Sequence, residues 1–188
     1  MTAMEPQEAR RVHADRVIVN PASGERIVIR TGGAETGGRL LAFDLYLPPG
    51  THVPARHVHP VQTERFAVTA GRMRFTLGRR TVLAGPGETV VVPPGVPHWF
   101  GNAGSETAQA RVEVRPALRM EELLAASEGL GEPRRFLGVS VPRLSELALF
   151  MLEFQRELAV PDVPAFLVRA VLTPLARVGR RRTHRVAS

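Results

Sequence analysis

The sequence predicts a mainly β protein: an antiparallel sandwich or barrel followed by an α-helical C-terminal extension. Three observations predict it. Between positions 16 and 116 the apolar residues fall in short alternating runs separated by turns bearing Gly and Pro. No helical pattern interrupts those runs, and many short strands without intervening helices fold as sandwiches or barrels. Beyond Pro116 the composition shifts to Leu and Ala at helical spacing. The chain thus divides into an N-terminal arm at 1–15, a β-barrel at 16–116 and a helical extension at 117–188.

The strand candidates run in order. Residues 16–19, 26–30 and 39–47 come first, with Thr31-Gly32-Gly33 marking a turn and Pro48-Pro49-Gly50 ending the third. Residues 64–69 and 72–78 are separated by Ala70-Gly71. In the second of these Met73, Phe75 and Leu77 face one side, while Arg72, Arg74 and Thr76 face the other. After Gly78 and Gly85-Pro86-Gly87, residues 88–93, 97–101 and 107–115 complete the set. In the extension, residues 117–128 form one helix and 143–158 a second, with Leu144, Leu147, Met151, Phe154 and Leu158 as a stripe. Leu149, Phe150 and Leu152 are apolar off that stripe, so this helix is expected to touch both the barrel and a partner subunit. A third helix is expected to start at Asp162 as N-cap with Pro164 in its first turn, and to kink or end at Pro174.

Composition excludes whole classes of function. At 188 residues the chain fits one domain, or one domain with an appendage, and buries enough surface to fold without staples. No apolar run is long enough to span a bilayer, and residues 1–11 lack the apolar core of a secretory signal. The expected location is the cytoplasm. With no Cys, there is no disulfide, thiolate zinc site, iron–sulfur cluster or cysteine nucleophile. The net charge is +7, and all 25 basic residues are Arg. Without Lys there is no side-chain Schiff base and no lysine for a Walker-type phosphate loop.

Four of the six His lie between 52 and 98. His57 and His59, two apart, project from one face of an extended segment. Glu64 shares parity with Phe66 and Val68, the apolar set of its strand, and His98 shares parity with Phe100. An acid on an inward face is costly unless a metal ion or an arginine compensates it. Three imidazoles and a carboxylate suit Mn, Fe, Co, Ni, Cu(II) or Zn. In a six-coordinate shell such a set leaves two positions open for substrate, water or dioxygen; four-coordinate zinc would be nearly closed.

These residues sit in two spaced patterns. The first is Gly50-x6-His57-x-His59-x4-Glu64-x6-Gly71, and the second is Gly87-x5-Pro93-x-Gly95-x2-His98-x3-Asn102. In them the chain resembles the cupin superfamily, with one extra residue between Gly50 and His57. The resemblance covers residues 39–116; residues 16–38 look like the leading strands of the same barrel. The helical tail is similar to that of small single-domain bacterial cupins of the quercetin-dioxygenase-like kind. What the resemblance implies is an antiparallel jelly-roll (cupin) β-barrel holding one divalent metal ion per chain on His57, His59, Glu64 and His98. Glu64 would double as a catalytic proton shuttle. The implied function is a metal-dependent oxidoreductase, dioxygenase-like, acting on a small organic molecule. The alternatives are a non-catalytic small-molecule sensor and a metal-dependent sugar isomerase or epimerase.

Other residues read more plainly. His52 differs in parity from His57 and belongs at the rim; His13 and His184 belong to tails. Phe66, Phe75, Phe100 and Trp99 read mostly as barrel core, and nothing singles out Tyr46. Arg169, Thr173, Arg177 and Arg180, followed by Arg181, Arg182 and Arg185, read as a solvated helix face and a frayed end. No nucleic-acid partner is expected. A homodimer is expected, with Phe150 as its marker.

Overall fold

A computed structural model describes residues 16–20, 24–53, 55–128, 134–136, 139–141, 144–164, 166–174 and 176. The expected N-terminal arm, His13, His184 and the arginines from Arg177 onward lie outside the described residues.

Among the described residues of 17–115 there are nine strands: β1 (Val17–Val19), β2 (Arg26–Thr31), β3 (Leu41–Leu47), β4 (Thr63–Ala70), β5 (Met73–Leu77), β6 (Arg80–Ala84), β7 (Thr89–Val92), β8 (His98–Asn102) and β9 (Ala108–Arg115). A six-stranded sheet has the order β1-β2-β3-β9-β4-β7, and a three-stranded sheet has the order β6-β5-β8. All pairings are antiparallel, in a cupin-type jelly-roll arrangement with helices C-terminal to it. Alternation decides which side chains enter the core. In β9, Ala108, Ala110, Val112 and Val114 are buried while Arg111 and Arg115 face out. In β4, Glu64, Phe66 and Val68 point inward. Phe66 of the large sheet stacks on Phe75 and Phe100 of the small one, with ring centroids 5.2 and 4.9 Å away. Burying each of these rings is worth about 1.5–3 kcal/mol. All three are core; Trp99 is half-buried and packs against that core, with its ring 5.3 Å from that of His52.

Three differences from the sequence reading are local. Strand β6 was not expected; Arg80-Thr81-Val82-Leu83-Ala84 has no clear alternation of its own and is defined by its register with β5 across Gly78-Arg79. In the extension, two further strands, β10 (Arg134–Phe136) and β11 (Val139–Val141), pair as a hairpin between α1 (Met120–Glu128) and α2 (Leu144–Glu153). Finally, α2 stops at Glu153 instead of 158. Residues 154–157 turn, and residue 159 forms a bridge with Val58.

Asp162 is not the N-cap of a third helix. Its φ is +61°, and it is the Pro164 carbonyl that accepts from the amides of Leu167 and Val168 as helical residues 166–174 begin. Phe150, the expected dimer marker, is half-buried; its ring lies 5.2 Å from Phe154 and packs on the core.

Candidate metal centre

The segment after β3 runs beside the free edge of β8. Val53 N–H donates to Phe100 O at 3.1 Å, and His57 and His98 exchange backbone hydrogen bonds at 3.0 and 2.8 Å. His57 and His59 therefore sit in isolated bridges and extended backbone rather than in a regular strand. Their rings still converge, with centroids 5.0 Å apart, and His98 lies 4.2 Å from His57 and 5.1 Å from His59. Two glycines hold this path. Gly95, at φ +75°, turns the chain before β8 and donates its N–H to His59 O at 2.9 Å. Gly71, at φ +67°, closes the β4–β5 turn so tightly that a Cβ there would lie 2.8 Å from Ala108 Cα.

Glu64 enters from β4, between Val92 of β7 and Val114 of β9 in register. One ligand atom from each of His57, His59, Glu64 and His98 lies within 4.8 Å of the others. His59, Glu64 and His98 are buried and His57 is half-buried. The four residues singled out from the sequence thus come together.

The hydrogen bonds fix which nitrogen of each ring faces the centre. His57 Nδ1 meets Ala55 O at 2.9 Å, His98 Nδ1 meets Val96 O at 3.0 Å, and His59 Nδ1 meets Glu157 O. A carbonyl only accepts, so each Nδ1 carries the hydrogen and donates it. In the neutral rings Nε2 then offers a lone pair to the centre. His59 Nε2 lies 3.3 Å from Glu64 Oε2 and His98 Nε2 lies 3.1 Å from it. Lone pairs aimed at a carboxylate repel it unless a cation, proton or metal, sits among them. His59 Nε2 is buried without a hydrogen bond. An orphaned ring nitrogen among three histidines and an acid fits a divalent metal ion.

In the metal-free centre the charge states differ from ring to ring. Burial, then the neighbouring His98 and His59, push His57 down to about 4, so it is neutral at neutral pH. Burial opposes charge on His59, but the Glu64 carboxylate outweighs it and raises the ring. Burial alone would push the Glu64 carboxyl up; His59 and then His98 hold it well below the usual carboxylate range.

Two contributors were not read from the sequence. Glu157, in the extension, supplies the carbonyl for His59 and is itself buried. Glu25 is a third buried acid, whose carboxyl is pushed up to about 7 by burial and then by the charge of Glu64. It shares parity with the inward Ile27 of β2, so the alternation that located Glu64 also marks it. His52 lies at the rim, its Nδ1 2.9 Å from Val53 O, and does not join the centre.

A family model described as a cupin domain matches residues 43–114, which supports the cupin superfamily for the barrel. The chain is similar to several solved structures. One is the cupin domain of Cnp3 from Schizosaccharomyces pombe, 13% identical over 58% of this chain and 74% of that chain, with a TM-score of 0.48. Another is a sugar phosphate isomerase of the cupin superfamily from Silicibacter pomeroyi, 22% identical over 54% and 71%, TM-score 0.48. A third is a predicted oxalate decarboxylase from Thermotoga maritima, 19% identical over 54% and 91%, TM-score 0.47. Comparison with curated proteins gives no match.

Proposed function

We infer that this chain is a metal-dependent cupin protein that binds one divalent metal ion on His57, His59, Glu64 and His98 and acts as a dioxygenase-type oxidoreductase on a small organic molecule. The observation that carries the metal reading is the convergence of three ring nitrogens, each with its hydrogen turned away onto a carbonyl, on one buried carboxylate. A metal bound there supplies Lewis acidity and open positions for substrate or dioxygen. The chain supplies the rest. The carbonyls of Ala55, Glu157 and Val96 orient the rings. Phe66, Phe75 and Phe100 fill the barrel and keep water from its interior. Glu64, buried and with its Oε2 within 3.3 Å of His59 Nε2 and 3.1 Å of His98 Nε2, is the acid placed to exchange a proton with a substrate at the centre.

A cytoplasmic homodimer is part of the same proposal. Among the described residues no helix is long and apolar enough to cross a membrane. Phe166, Leu167 and Val171 leave an apolar stripe exposed on the last helical segment, a surface that suits a second copy.

The test is elemental analysis of untagged protein, followed by nitric oxide binding to the iron-loaded form by electron paramagnetic resonance and by oxygen-uptake screening. About one redox-capable metal per chain with nitric oxide bound supports the reading. Stoichiometric zinc without oxygen uptake moves the assignment to isomerase chemistry. No metal after reconstitution removes the centre and leaves a binding barrel.

A further inference from the structure

The three ring carbonyl partners differ in origin. Ala55 and Val96 lie two residues before His57 and His98, so those bonds form with the local chain. The partner of His59 is Glu157, 98 residues downstream in the extension. His59 is therefore oriented only when the extension is docked.

The docking is specific. After α2 the chain turns, with Glu157 N–H and Leu158 N–H both donating to Phe154 O at 3.1 and 2.8 Å. It then exchanges two backbone hydrogen bonds with the residue between the two histidines: Val58 N–H to Ala159 O at 3.1 Å and Ala159 N–H to Val58 O at 2.9 Å. The Glu157 side chain is buried, and its Oε1 accepts the backbone N–H of Arg119 at 3.3 Å, tying the turn to the approach to α1. Phe154 is buried beneath the Arg119 guanidinium, 5.1 Å from its ring, and that guanidinium also pairs with Glu153 at 2.7 Å. A buried carboxylate in a turn is costly unless it does structural work; here it sits on the same residue whose carbonyl holds the histidine.

We propose that residues 154–159 are a positioning strap for the metal centre, and that Glu157 is the residue that fixes the His59 ring, so that the extension sets the affinity of the centre for a divalent metal. This rests on the metal-centre reading. Without the carbonyl, the His59 ring is free to rotate or to place its hydrogen on Nε2, and one of the three lone pairs is lost. Loss of such a ring partner typically weakens metal binding by about 10–100-fold.

The experiment uses the full chain and two readouts. The first is the His59 ring tautomer in metal-free protein, from long-range proton–nitrogen correlation spectra at a pH where the ring is neutral, assigned with H59N. The second is cobalt(II) titration followed by its visible spectrum. Wild type and Glu157→Gln, which keeps an acceptor for the Arg119 amide, are expected to show His59 with its hydrogen on Nδ1 and to bind cobalt alike. Glu157→Ala is expected to show averaged His59 tautomers and about 10–100-fold weaker cobalt binding. Ala159→Pro removes the N–H that reaches Val58 O and should give the same loss; it serves if Glu157→Ala fails to fold. The proposal is overturned if wild-type His59 carries its hydrogen on Nε2. It is equally overturned if the folded variants lower the melting temperature while leaving tautomer and cobalt affinity unchanged, a purely structural role. A wild type with the Nδ1–H tautomer, lost in Glu157→Ala, that takes up no cobalt upholds the ring-positioning role and overturns both the metal reading and the strap's effect on affinity.

Discussion

His98 Nε2 and Glu64 Oε2 face each other at 3.1 Å in a part of the barrel that solvent barely reaches. The pair joins the two sheets, β8 to β4. Because His59 and His98 hold Glu64 ionised against its burial, removing either ring leaves a buried charge short of a partner. His98→Ala is expected to destabilise the metal-free protein by about 3 kcal/mol or more. Glu64→Gln, which keeps volume and discharges the acid, should cost about 1 kcal/mol. The double variant should cost less than the sum of the two. Urea denaturation in chelator checks this, and a double variant costing the full sum of the two single variants would refute the coupling.

Two glycines of the spaced patterns should separate under substitution. Gly95→Ala meets only the backbone strain of φ +75°, since a Cβ there has nothing within 4 Å; about 1–2 kcal/mol is expected. Gly71→Ala meets the same strain and, in addition, the Ala108 Cα at 2.8 Å and the Thr107 carbonyl at 3.0 Å. Backbone cannot swing aside as a side chain does, so the cost should exceed that of Gly95→Ala by at least about 1 kcal/mol. Melting temperatures of the two variants, measured side by side, decide the order.

The contrast between legible and illegible parts has a physical basis. Period-two alternation placed Glu64 and His98 on inward faces and His57 and His59 on a shared one, and the resemblance to the cupin superfamily implied that all four meet. Periodicity reports local structure, so it failed where a distant partner decides. Phe154 and Leu158 continue a helical stripe in sequence, yet the chain leaves the helix before them because residue 159 pairs with Val58. Strand β6 likewise owes its existence to β5. Glu25 was legible but unread: one acid preceding an apolar strand looks like a turn residue until burial is known.

Glu25 predicts a pH dependence. Its carboxyl is raised from 4.5 to about 7, by burial first and the Glu64 charge second. A raised carboxyl binds its proton more tightly folded than unfolded, so its stabilising effect is full below about 4.5 and is lost as pH climbs through about 7. The loss amounts to about 3 kcal/mol when complete. Glu25→Gln, neutral at every pH, should match wild type near pH ~5 and exceed it in stability by about 2–3 kcal/mol near pH ~8.5 in metal-free protein. Chemical denaturation at both values checks it, and a constant difference between the proteins would contradict the assignment.

Phe150 and Phe166 should divide folding from association. Phe150 packs on Phe154 and the core, so Phe150→Glu places a charge against an apolar surface and should cost about 2 kcal/mol or more. Its effect on a dimer, if one forms through the same helix, comes with a lower melting temperature. Phe166 is 69% exposed, so Phe166→Glu should change monomer stability by less than about 0.5 kcal/mol. In the homodimer proposed above, however, it introduces like charges into the apolar stripe shared with Leu167 and Val171. Light scattering at several concentrations, paired with melting curves, reads both effects. The expected outcome is a dispersed but stable Phe166→Glu protein; a wild type that stays monomeric throughout would end the dimer proposal and leave the stripe without that role.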